Sequence, residues 1–108
     1  MAQNFRRYTS NDVGTGAATL FTADSYDTVI GISVSNVTTS AISVDVYIND
    51  GANDIYLVKD APITAGGALQ VVDGGAKFVV ESGDALKVVS DTASSADVYV
   101  STVDDIST

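Results

Sequence analysis

The stretch Thr28–Asn49, TVIGISVSNVTTSAISVDVYIN, carries the reading of the fold. In its first half Ile30, Ile32 and Val34 alternate with Gly31, Ser33 and Ser35. In its second half Ile42, Val44, Val46 and Ile48 alternate with Ser43, Asp45, Tyr47 and Asn49. A period of two sends alternate side chains to opposite faces, so each half reads as a strand with one face buried and one wet. Val37 to Ser40 supplies the turn, and a connection this short predicts an antiparallel hairpin. Asn36-Val37-Thr38 matches a glycosylation acceptor but is read as part of that turn.

Outward from this pair the same texture continues. Downstream, Asn49-Asp50-Gly51-Ala52-Asn53 is a turn signal, because Asp-Gly tolerates the positive φ of hairpin turns. A strand is expected from Asp54 to Lys59, and Pro62 marks an edge position or a crossing between sheets. Gly66-Gly67, Gly74-Gly75 and Ser82-Gly83-Asp84 punctuate three further strands, at Ala68 to Asp73, Lys77 to Glu81 and Ala85 to Ser90. Ala96 to Val103 reads as the last strand. Upstream, Ala18 to Thr22 is a short strand, Ser10 to Gly16 a loop, and Met1 to Thr9 an arm or first edge strand.

The spacing predicts seven to nine short strands in an all-β, single-domain antiparallel sandwich or barrel, Ig-like or jelly-roll-like, spanning 10–108 behind the N-terminal arm at 1–9. Composition agrees. The chain has 16 Val, 7 Ile and 11 Thr against 4 Leu and 1 Glu. β-branched side chains lose χ1 freedom in helices and pack well on a pleated sheet. Of the 14 acidic residues 13 are Asp, a turn former. At 108 residues the chain can bury one modest core, which association would further stabilise.

The net charge of −9 opposes a role on nucleic acid or on an anionic membrane surface. The chain has no Cys and no His, which excludes disulfides, thiolate metal sites and His-based catalytic triads. Carboxylates alone can catalyse across a cleft. Here they fall mostly in turns (Asp12, Asp24, Asp27, Asp50, Asp60, Asp84, Asp91), so the chain is not expected to be an enzyme. Asn49, Asp50, Asn53 and Asp54 lack the spacing of a calcium loop, and neither a metal nor any other cofactor is expected. With no apolar leader, the chain is expected to be made in the cytoplasm.

The segment Phe5-Arg6-Arg7-Tyr8 concentrates two of the five basic residues between two aromatics. Arg and aromatics are enriched at interface cores, so Phe5, Arg6, Arg7 and Tyr8 are the candidate partner-binding residues. An ordinary first strand would serve equally well to explain them. Tyr47, Tyr56 and Tyr99 are expected to share an outward face, as a second contact patch.

The Arg-Tyr opening (7–8) and the Val-Gly-Thr-Gly loop (13–16) are followed by Thr-Val-Ile-Gly-Ile-Ser-Val-Ser-Asn (28–36), Val-Asp-Val-Tyr-Ile (44–48), Ala-Pro-Ile-Thr-Ala-Gly-Gly (61–67), Glu-Ser-Gly-Asp-Ala-Leu-Lys-Val (81–88) and Asp-Val-Tyr-Val-Ser (97–101). In this outline the chain resembles small virion structural proteins of tailed bacteriophages, of the cyanophage or other marine phage type. The resemblance implies a capsid decoration or cement subunit that stabilises a shell through protein–protein contacts. Its partners would be other copies of itself, a trimer being one arrangement, and phage capsid or tail proteins; its location would be the virion. A tail or neck component is the nearest variant. A carbohydrate-binding or adhesin module is the rival from another class, although no Trp, 5 Tyr and 3 Phe offer few platforms for sugars.

Overall fold

The computed structural model describes residues 3–23 and 26–105, and all their regular structure is β. Eight strands follow in order: β1 (Gln3–Val13), β2 (Ala18–Thr22), β3 (Tyr26–Asn36), β4 (Ile42–Asn49), β5 (Asp54–Ile63), β6 (Ala68–Val80), β7 (Ala85–Ser90) and β8 (Ala96–Asp105). They form two four-stranded antiparallel sheets, β1-β8-β3-β6 and β2-β7-β4-β5. The chain changes sheet at every connection except β4–β5 and so winds as a jelly roll. An immunoglobulin-like order would place the first two strands in one sheet, and here they lie in different ones.

Alternation governs which side chains meet, except at the irregularity between Val29 and Gly31. That irregularity buries Val29 and leaves Ile30, expected on the buried face, half-buried beside the groove of Arg7 and Tyr99. Val44, Val46, Leu86 and Val88 from one sheet face Val29, Ile32, Val34, Val98 and Val100 from the other in one buried cluster. Fully burying a Val or Leu is worth about 1.5–3 kcal/mol, so this dry layer is the main source of stability.

The expected hairpin between the two halves of Thr28–Asn49 does not form. β3 pairs with β6 and β8, whereas β4 pairs with β5 and β7. The two strands belong to opposite sheets, because residues 37–41 turn a corner over the edge of the sandwich. Asn36, only 2% exposed, holds that corner. Its Nδ2 donates to the carbonyls of Ser40 (2.7 Å), Ile63 (3.1 Å) and Thr64 (3.1 Å), and its Oδ1 accepts from the Thr38 N–H and hydroxyl. The Asn49–Asp54 turn does join a hairpin, β4–β5, with Gly51 at φ 94° as Asp-Gly chemistry requires.

Three further boundaries differ from expectation. β1 runs on through Val13, with Asp12 at φ 55° in a bulge, so the loop after the arm is shorter than 10–16. β5 extends past Lys59 to Ile63, and Pro62 fits because β5 is an edge strand with one unpaired side. The strands expected at Ala68–Asp73 and Lys77–Glu81 are one strand, β6. Its register against β3 jumps from Phe78 to Asp73 while β3 advances only from Val29 to Gly31, so Gly74-Gly75 sits in an irregularity within the strand and not in a turn between two.

Candidate interface

The segment expected to dock on a partner is the first part of β1, an edge strand held along its length by β8. Phe5 pairs with Val103, Arg6 with Thr102, Arg7 with Ser101 and Tyr8 with Val100. Alternation divides these residues. Tyr8 turns inward and stacks on Phe21 of β2, with ring centroids 4.4 Å apart and planes 15° from parallel. That contact ties the edge of one sheet to the edge of the other, so Tyr8 is an anchor of the fold. Arg6 and Arg7 are exposed. The side chain of Phe5 lies outside the described residues.

Arg6 and Arg7 line a groove of about 340 Å³ together with Ile30, Tyr99, Ser101 and Thr102. A second groove, of about 330 Å³, runs beside Thr9, Asn11, Ser33, Ser35, Asp97 and the same Tyr99. Tyr99 is therefore a wall shared by two grooves. Its β8 register places Thr9 on one side and Ser33 on the other, both short side chains, and leaves it 50% exposed. Gln70 of β6 donates to the Ser33 hydroxyl at 3.0 Å and extends this polar row to the far edge. Asp97 Oδ1 accepts from the Asp12 N–H at 3.2 Å, which fixes the carboxylate beside the β1 bulge.

The three tyrosines do not share a face. Tyr47 and Tyr56 sit on the outer side of the β2-β7-β4-β5 sheet, centroids 5.0 Å apart, with Lys59 Nζ 5.0 Å above the Tyr56 ring. Asp45 completes this cluster, 3.4 Å from Lys59 Nζ, and its hydrogen bond holds the ammonium pKa above its ordinary value. Tyr99 belongs to the other sheet. The sequence reading missed that Tyr99, and not the other two, adjoins the Arg pair. Its signal was the Asp97-Val98-Tyr99 alternation, which gives an outward face but not the sheet to which that face belongs. Among the described residues no group of three or more acidic side chains is placed to hold a metal ion.

No family model matches the chain, and no curated protein matches it. Among solved structures it is similar to a chain from Bacillus endospore appendages, which form a novel family of disulfide-linked pili. The TM-score is 0.55 at 14% identity, over 94% of this chain and 84% of the other. At that identity the likeness is one of fold.

Proposed function

We propose that this chain is a non-catalytic structural subunit of a multi-copy particle, a bacteriophage virion protein of the decoration or cement type. The observation that carries the reading is the exposed Arg6-Arg7 pair on an edge strand of a sandwich whose net charge is −9. Cations gathered at one edge of an acidic body favour contact with acidic surface elsewhere, including that of a second copy, and set the orientation of that contact. The rigid two-sheet core supplies a preorganised shape, which lowers the ordering cost of association. A neighbour of similar fold builds pili, which supports an assembly role for such a sandwich; with no Cys, this chain would assemble without disulfides.

Mass spectrometry of purified virions should find the chain near stoichiometry with the major shell protein, and its absence there would overturn the reading. Arg6→Glu, with its fold verified by circular dichroism, should lower occupancy on the particle.

A further inference from the structure

We infer that the two grooves divided by Tyr99 form one binding site for an acidic oligosaccharide, a function beyond particle assembly. A sugar ring offers an apolar C–H face and a rim of hydroxyls. It therefore needs an exposed aromatic ring with polar groups around it. Tyr99 meets the first need, being half-exposed with a groove along either side. The second is met by the hydroxyls of Thr9, Ser33 and Ser35, the Asn11 amide and the Asp97 carboxylate in one groove. Each groove is large enough for a small ligand.

The charge arrangement selects the class of sugar. Asp97 at one end accepts from hydroxyls, while Arg7 at the other donates and carries a positive charge suited to a carboxylate. A uronic acid oligosaccharide presents both along one chain: hydroxyls toward Asp97, a ring against Tyr99 and a carboxylate toward Arg7. A protein segment suits the site less well. Short hydroxyl side chains line this groove, whereas an extended peptide would add at a strand edge.

The test is a ¹H–¹⁵N titration of the whole chain with tetragalacturonate, and with cellotetraose as the uncharged probe. Shifts confined to Thr9, Ser33, Asp97, Tyr99 and Ser101 are expected, with tetragalacturonate binding the more tightly. Tyr99→Ala, an exposed position where folding should survive, should weaken both probes by about tenfold. Arg7→Gln should weaken tetragalacturonate alone and bring the two affinities together. No shifts on this face with either probe, or undiminished binding by Tyr99→Ala, would overturn the inference. These readouts use the isolated chain, so they are independent of whether it is found on a particle.

Discussion

The side-chain amide of Asn36 donates to the carbonyl of Thr64 at 3.1 Å, joining the β3–β4 corner to the β5–β6 corner. The same nitrogen reaches Ser40 and Ile63, and the oxygen holds Thr38, so one buried side chain closes two loops of the jelly roll. Asn36→Ala removes every one of these bonds. The Thr64 and Ser40 carbonyls keep the Gly67 N–H and the Thr38 hydroxyl as donors, whereas the bond to the Ile63 carbonyl is lost from a buried place. The expected loss is about 3 kcal/mol in urea denaturation. Asn36→Asp keeps the acceptor but sets a charge against carbonyl oxygens. It should be at least as damaging at neutral pH, and partly relieved in acid.

Thr102 illustrates the opposite case. It is fully buried on β8, and its hydroxyl has no hydrogen-bond partner among the described residues. A buried hydroxyl without a partner loses its hydration for no return. Thr102→Val has nearly the same shape and no such group, so it should stabilise the fold by about 1 kcal/mol. A rise in the thermal midpoint, read by circular dichroism, checks this.

How much of this was legible follows from what alternation encodes. Ile42, Val44 and Val46 announce a strand with one buried face, and all three are in the core. Alternation says nothing about which strand lies alongside, so β3 and β4 read as a hairpin although they pack across the core from each other. The decision lies in Asn36, whose bonds to residues 63 and 64 are distant in sequence. The candidate surface divides the same way. Arg6 and Arg7 stand out because cations are scarce, whereas Tyr99 becomes distinct from Tyr47 and Tyr56 only once strands are assigned to sheets.

Acid should destabilise the fold partly through two turns. Backbone N–H groups of Asn53 and then Ala52 hold the Asp50 carboxyl below its ordinary pKa of 3.8. The Ser43 N–H, then the Thr92 hydroxyl, do the same for Asp91. A carboxylate whose pKa is depressed by folding contributes stability above its unfolded value, and that contribution disappears as pH falls through the folded value. Asp50→Asn and Asp91→Asn remove this linkage. Urea midpoints of the double variant should lie below those of the parent at neutral pH, with the gap closing in acid.

Alkali should act through Tyr47. Although it points outward from β4, it is only 8% exposed, because Tyr56 packs over it. Burial first, then the charges of Asp54, Tyr56 and Asp45, raises its phenol pKa above 10.0. An acid favoured in its neutral form by folding contributes stability below its unfolded pKa, and loses that contribution as pH rises from there through the folded value. Lys59, raised by its hydrogen bond to Asp45, loses its contribution in the same direction. Two variants separate the groups. Tyr47→Phe keeps the ring against Tyr56 and should flatten the decline of thermal midpoint in alkali. Asp45→Asn removes the Lys59 linkage, although it also weakens the carboxylate's bond from the Asp60 N–H. Absorption at the tyrosinate band gives the direct check: the parent should show a late-ionising component, and Tyr47→Phe should abolish it. If it persists in the variant, the delayed phenol is not Tyr47, and its burial under Tyr56 does not control the alkaline limb.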